Sequence, residues 1–248
     1  CIRKFFCQKH KMKTYGLIGE KLSHSSSQQY FQSKFLNENI EDCQYLNFEM
    51  NTLEELKILI KNHNIQGLNV TIPYKEEIIP YLDEISSEAA TVGAVNTIEI
   101  RNSKLIGHNT DVSGFEQSFL EMVGTRKKAI ILGNGGASKA AQYVLKKNDI
   151  SFLVASRNSN FTIEQIDKNI LSQYNIIINA TPLGMYPNAN KFPDLPYHLI
   201  NSKHLLFDLV YNPEETLFLA KGKSNGAAIK NGIGMLYLQA EESWKIWN

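Results

Sequence analysis

Apolar and polar residues alternate in two rhythms along the chain. Up to about residue 124 the period keeps changing, from short β-branched runs to helical spacing and back. Tyr15–Ile18, Cys43–Phe48 and Gly67–Thr71 are predicted as strands, and the polar HSSS run at 24–27 supplies caps for a helix near Gln28–Leu36. Asn51 or Thr52 caps LEELKILIK, in which Leu53, Leu56, Leu59 and Ile60 share one face. In NVTIPYK (69–75) the Val-Thr-Ile run favours extended backbone. Pro73 ends pairing there, so Lys75 opens a new element, predicted as the first turn of a helix through EEIIPYL. A short helix is expected over Ile85–Thr91, then a hairpin of Ala94–Ile100 with Lys104–Gly107, then a helix capped by Asp111 and running to about Val123.

After Gly124 the rhythm settles. KKAIILG (127–133), SFLVAS (151–156), NIIINA (175–180) and HLLFDLV (204–210) are continuous apolar runs, as expected of strands buried on both faces in a parallel sheet. GGASKAAQYVLKK forms a helix, Ala227–Lys230 can add a strand, and Met235–Trp247 is a final amphipathic helix. The fold class is therefore α/β, with an N-terminal α/β lobe followed by a doubly wound, Rossmann-type C-terminal lobe. The expected division is 13–111 for the first lobe and 112–232 for the second. Residues 233–248 are expected to form a helix that returns to the first, and residues 1–12 to be a non-native or disordered extension, with Met12 the expected native start.

Composition narrows the function. A chain of 248 residues that is 43% hydrophobic can bury one large core or two smaller ones. With 26 basic and 25 acidic side chains the net charge is +1, so no global field favours nucleic acid or an anionic membrane, and a small molecule is the expected partner. No apolar run approaches the length of a membrane span. Three cysteines (Cys1, Cys7, Cys43) without a CxxC pair suit a reducing cytoplasm and offer no metal-ligand spacing.

The glycine turn adds chemistry. GNGGAS (133–138) sits between a strand and a helix, where Gly133 permits the tight turn, Gly135 lets backbone approach a pyrophosphate, and Ser138 takes the small third position. The helix start then offers free N–H groups to phosphate. About 20 residues on, where a carboxylate would select NAD, the chain has Ala155-Ser156-Arg157-Asn158. Arg157 is placed to pair with a 2′-phosphate, so NADP(H) is the expected cofactor, against the alternative of a surface arginine after a strand.

Polar blocks also mark strand ends in the first lobe: HSSS (24–27), NVTIPYK, AVNT (94–97) and GHNTD (107–111). With GNGGAS, NATPLGM (179–185), DLVYNPEET (208–216) and NGIGMLYLQA (231–240), they resemble the shikimate dehydrogenase family in register from about Tyr15 to Trp247. The resemblance implies NADPH-dependent, reversible reduction of 3-dehydroshikimate to shikimate in aromatic amino-acid biosynthesis, by a cytoplasmic monomer or homodimer with a cleft between its lobes. It places the substrate carboxylate on Ser25 and Ser27, with Ser26 pointing away. The other substrate contacts it implies are Thr71, Asn96, Asp111, Tyr211 and Gln239. Lys75 becomes the acid/base group and Asp111 its partner. On the cofactor side it implies Gly133, Asn134, Gly135, Gly136 and Ala137 for the pyrophosphate, Ser156, Arg157 and Asn158 for the adenosine phosphate, Thr181 nearby, and Leu209 and Gly232 beside the nicotinamide. Met235 is expected in the core.

Each residue also has a plainer reading. Lys75 can be a solvated lysine, and Ser25, Ser27 and Asp111 can be helix caps. His24 and His108 border the substrate blocks as supporting or surface groups. The chain departs from the family's usual pattern at Gln28 and around Glu20-Lys21-Leu22, where prolines are common, at Ser156-Arg157-Asn158, and in the thin segment between Asn158 and Asn175. Rival readings are a quinate-oxidising or NAD-using paralogue and a non-catalytic NADPH-sensing module. The last of these would lose Lys75 or Asp111, and both are present.

Overall fold

The computed structural model describes residues 12–23, 25–157 and 159–248. The extension expected over 1–11, His24 and Asn158 lie outside them. Strands β1 (Lys13–Gly19), β2 (Cys43–Glu49), β3 (Ile65–Val70), β4 (Glu84–Ile85), β5 (Thr97–Arg101) and β6 (Lys104–His108) form a sheet in the order β2-β1-β3-β5-β6-β4. Its helices are α1 (Ser27–Asn37), α2 (Leu56–Asn62) and α3 (Ser87–Val92). Alternation along β1 sends Ile18 into a core with Leu56, Leu68, Val70, Tyr74 and Ile98. Tyr15 and Leu17 go to the other face, with Phe31, Phe35 and Tyr45. Phe31 and Tyr45 stack there at 4.4 Å, a pair worth about 0.5–1.5 kcal/mol beyond the area it buries.

After α4 (Thr110–Val123), the strands β7 (Lys128–Leu132), β8 (Ser151–Ala155), β9 (Ile176–Asn179), β10 (Leu205–Asp208) and β11 (Ala228–Lys230) make an all-parallel sheet in the order β11-β10-β9-β7-β8. Helices α5 (Gly136–Lys147), α6 (Lys168–Gln173), α7 (Leu217–Ser224) and α8 (Ile233–Trp247) complete the chain. Ile131, Ile176 and Ile178 face one core with Phe115 and Phe119, while Ile130, Ile177 and Leu206 face the other with Phe218. Both faces are covered, which is why these strands read as unbroken apolar runs. Strand order reverses at β7, so the ligand crevice of such a sheet lies beyond the carboxyl ends of β7 and β9.

Helix α8 belongs to both halves. Met235 is buried in the second core, whereas Ala240, Trp244 and Trp247 pack on the aromatic face of the first sheet. It crosses α4 so closely that a Cβ on Gly114 would lie 2.8 Å from the Met235 carbonyl oxygen and 2.9 Å from Gln239 Cβ. That approach carries Gln239 to the first lobe.

Four local expectations need correction. EEIIPYL forms turns and a 3-10 turn over Ile79–Tyr81, because Pro80 lacks the N–H and its ring opposes a helical carbonyl four residues earlier. The helix expected from Ile85 starts at Ser87, capped by Ser86 through the Ala89 N–H at 3.2 Å. The hairpin's first strand begins at Thr97, because the Val95 N–H is bonded to the Lys75 carbonyl at 2.7 Å. Helix α4 is capped by Asn109, whose Oδ1 accepts from the Val112 N–H at 3.2 Å. Asp111 is therefore free of the capping role.

Candidate active site

Lys75 is fixed from its backbone outward. Tyr74 is buried and donates its hydroxyl to the Met50 carbonyl at 2.7 Å, while the Lys75 carbonyl accepts from Val95. The lysine stem lies against the start of α5, where a Cβ on Gly136 would come 3.0 Å from Lys75 Cβ. Its ammonium donates to Asp111 Oδ2 at 2.5 Å, with the two side chains 15% and 7% exposed.

Asp111 stands in the first turn of α4, where the helix dipole favours a carboxylate. Asn96 donates to its Oδ1 at 3.0 Å, to Thr110 Oγ1 at 3.0 Å and to Gln239 Oε1 at 3.3 Å. Asn96 Oδ1 in turn accepts from the Thr110 N–H at 2.6 Å, so β5, α4 and α8 are tied at one amide. Behind it, Asn69 Nδ2 donates to Thr97 Oγ1 at 3.1 Å and to Ser243 Oγ at 2.9 Å, and Tyr45 donates to Asn69 Oδ1 at 2.7 Å. Polar groups this deeply buried are retained when each finds a partner.

The structure thus brings four expected residues, Lys75, Asn96, Asp111 and Gln239, into one bonded cluster. Thr71 ends the neighbouring strand run, its N–H bonded to the Ile18 carbonyl at 3.0 Å. A second group forms at the serine loop, where Ser25 Oγ accepts from the Ser27 N–H at 3.3 Å. Ser27 is buried, and Tyr211 reaches across from the second lobe to accept from the Ser26 N–H at 3.4 Å. The Ser26 contact is made by backbone. Lys139 on α5 also spans the lobes, pairing with Glu76 at 2.5 Å.

The nucleotide side is shaped by its backbone. Gly133 has φ +102°, which only glycine adopts without strain, and Ser138 Oγ donates to its carbonyl at 2.7 Å. A Cβ on Gly135 would meet nothing within 4 Å, so no protein neighbour demands a glycine there. Asn134 is exposed and Ala137 half-buried at the first turn of α5. After β8 a tight loop has the Ser156 N–H bonded to the Phe161 carbonyl at 3.1 Å and carries Arg157 exposed at its turn. Thr181 follows β9, and Leu209 follows β10 with its N–H on the Asn179 carbonyl at 2.9 Å. Gly232 packs so tightly on Leu209 that a Cβ would lie 2.3 Å from its carbonyl oxygen. These residues fit a phosphorylated dinucleotide.

Sequence reasoning missed the supporting polar groups Tyr45, Asn69, Thr97, Thr110 and Ser243, and also a buried knot of Asn179, Asp208 and Thr216. One signal for the knot was available: Asp208 interrupts the apolar run HLLFDLV. Burial pushes its carboxyl up from the ordinary 3.8 to about 6, against bonds from Thr216, Val210 and Asn179 that favour the charged form.

Comparison with known proteins follows the same outline. Residues 17–98 match the family model described as the shikimate dehydrogenase substrate binding domain. The NADP(+) shikimate dehydrogenase of Clostridium beijerinckii is 41% identical over 249 residues, covering 95% of this chain and 92% of that protein. A crystal structure of a shikimate dehydrogenase in complex with NADP+ superposes with a TM-score of 0.86 at 36% identity, covering 96% of this chain and 90% of the other. The Thermus thermophilus shikimate 5-dehydrogenase, in complex with NADP(H) and shikimate, gives a TM-score of 0.83 at 28% identity, with 96% and 94% covered.

Proposed function

The chain belongs to the shikimate dehydrogenase family, and from that premise we propose how its residues perform the NADPH-dependent, reversible reduction of 3-dehydroshikimate to shikimate. The observation that carries the reading is the Lys75–Asp111 contact at 2.5 Å, held at the seam of the two lobes. Bound NADPH supplies the hydride. Gly133 to Ala137 would hold its pyrophosphate, Ser156, Arg157 and Asn158 its adenosine phosphate, and Thr181, Leu209 and Gly232 the nicotinamide side.

When a carbonyl carbon is reduced, its oxygen becomes an alkoxide that must take a proton. The Lys75 ammonium gives that proton and stabilises the developing charge, and in the oxidative direction the neutral amine takes it back. Asp111 keeps the ammonium in place by its Oδ2, while Asn96 holds Oδ1 so that the carboxylate cannot rotate. Ser25 and Ser27 would bind the substrate carboxylate, each charged hydrogen bond contributing about 1.5–3 kcal/mol. Thr71, Asn96, Tyr211 and Gln239 would meet the ring hydroxyls.

The division 13–111, 112–232 and 233–248 assigns the substrate to the first lobe and the cofactor to the second, with the last helix closing the site. Among the described residues no helix is long and apolar enough to cross a membrane. A cytoplasmic monomer or homodimer is the proposed setting, and the balanced charge supports the absence of a nucleic-acid partner. The test follows NADPH formation with shikimate, with quinate and with no substrate. Wild type should turn over shikimate, and Lys75→Ala should lose about 10²–10⁴-fold in kcat. A Lys75→Ala enzyme of near-normal rate would refute the assigned role.

A further inference from the structure

The Lys75 chemistry leaves one fully buried carboxylate unused. Asp208 ends β10, and its Oδ1 accepts from Asn179 Nδ2 at 2.9 Å and from the Val210 N–H at 3.0 Å. Its Oδ2 accepts from Thr216 Oγ1 at 2.6 Å. Asn179 ends the adjacent strand β9 and uses its other atoms on the following loop. Its Oδ1 accepts from the Thr181 N–H at 3.1 Å and the Thr181 hydroxyl at 2.6 Å, and its Nδ2 also donates to the Leu183 carbonyl at 3.2 Å. Thr216 caps α7 through the Leu219 N–H, and the backbone at Gly184 packs against its side chain.

One carboxylate therefore fixes the exits of two neighbouring strands and the start of a helix. Two of the three groups it ties, Asn179 and Val210, lie one or two residues from a side chain assigned to the reaction, and the third, Thr216, starts α7 five residues beyond Tyr211. Thr181 is held by Asn179. Val210 is flanked by Leu209 and Tyr211, its carbonyl accepts from the Gly232 N–H at 3.1 Å, and Tyr211 extends to the serine loop. The Lys75 cluster is in the other lobe and shares none of these bonds.

We propose that Asp208 is a positioning residue for hydride transfer, its carboxylate holding the loops of Thr181, Leu209 and Tyr211 at the spacing that nicotinamide and substrate require. This rests on the roles given above to those three residues. An ionised group with no cationic partner is an unfavourable choice for a buried strand end if stability alone is served. Both carboxylate oxygens accept in this knot, and an amide in its place would make the Thr216 hydroxyl give up donating and turn to accept.

The test compares Asp208→Asn, Thr216→Val and Thr216→Ser with wild type in steady-state shikimate oxidation, alongside chemical denaturation. Asp208→Asn turns an N–H donor toward Thr216, whose hydroxyl must then accept instead of donate. It should lower kcat tenfold or more while KM for NADP stays within threefold, since the phosphate anchors are elsewhere. Thr216→Val should move kcat in the same direction, and Thr216→Ser, which keeps the hydroxyl, should restore it. Kinetics of Asp208→Asn and Thr216→Val both within twofold of wild type overturn the proposal. So does a fall in kcat no larger than the fall in folded protein, which would mark a purely structural group. Wild type without turnover, or a Lys75→Ala enzyme with normal turnover, overturns the underlying reading first and this proposal with it.

Discussion

Replacing Asp111 with asparagine changes one atom and inverts one hydrogen-bond pattern. In the native site both carboxylate oxygens accept, Oδ2 from the Lys75 ammonium at 2.5 Å and Oδ1 from Asn96 Nδ2 at 3.0 Å. An asparagine offers one acceptor and one NH2, so in either flip a donor faces a donor. Asn96 cannot turn to compensate, because its Oδ1 is held by the Thr110 N–H at 2.6 Å. A buried donor left without an acceptor costs about 1–3 kcal/mol, and losing one partner of a buried ion pair costs up to about 3–5 kcal/mol. With Lys75 still 15% exposed, we take the lower part of that range, about 3 kcal/mol. If the displacement is felt in the transition state, kcat/KM for shikimate falls by roughly 10²-fold. The assay is initial-rate NADPH formation, with the denaturation midpoint measured on the same preparation. An Asp111→Asn enzyme that is folded and retains at least half of the wild-type kcat/KM would falsify the claim that this contact orients the catalytic ammonium.

Further outcomes follow from other parts of the structure. Arg157→Gln should weaken NADP binding by about 1.5–3 kcal/mol, roughly 10–150-fold, without changing NAD binding; equal effects on both would make Arg157 a surface residue. Gly114→Ala places a Cβ 2.8 Å from the Met235 carbonyl and forces α8 outward. The expected cost is about 1–3 kcal/mol in urea denaturation together with a raised KM for shikimate, as Gln239 leaves Asn96. For Asp208, the native carboxyl at about 6 lies above its ordinary 3.8, so between those values the folded state holds the proton more tightly than the unfolded one. Its favourable contribution is full below about pH 4 and is lost as pH rises through 6. Among the described residues no cation pairs with the carboxylate, and Tyr197, whose hydroxyl is held above its ordinary value by burial and then by Asp208, is the titratable neighbour. Relative to its difference from wild type at pH 4, Asp208→Asn should therefore gain up to roughly 3 kcal/mol of stability at pH 8. A gain of the same size at both values would remove the carboxylate as its source.

Periodicity located the strands of the second sheet to within a residue or two, because both faces are buried and the apolar runs are unbroken. It did less well around Lys75, where Pro80 overrode an otherwise helical pattern. Asp111 was expected to cap α4, but Asn109 two residues earlier does so, and because both residue types favour caps the pattern alone pointed to the wrong one. Pairing across distance was harder still. Asn69 and Ser243 are 174 positions apart, and nothing local to either announces the 2.9 Å bond between them. Gly136 was readable as part of a phosphate turn, but its contact with the Lys75 stem depends on how two lobes meet.

Helix α8 gives the chain an order of events during synthesis. Lys75, Asn96 and Asp111 leave the ribosome well before Gln239 and Ser243, which complete their hydrogen-bond network. At about 5–20 residues per second, the nascent first lobe waits roughly ten seconds for those groups. Until then its aromatic face, Tyr15, Phe31, Phe35 and Tyr45, lacks Trp244 and Trp247. The catalytic lobe is thus translated first and finished last, and a ribosome stalled before residue 233 holds a nascent chain whose aromatic face is uncovered and whose site lacks Gln239 and Ser243.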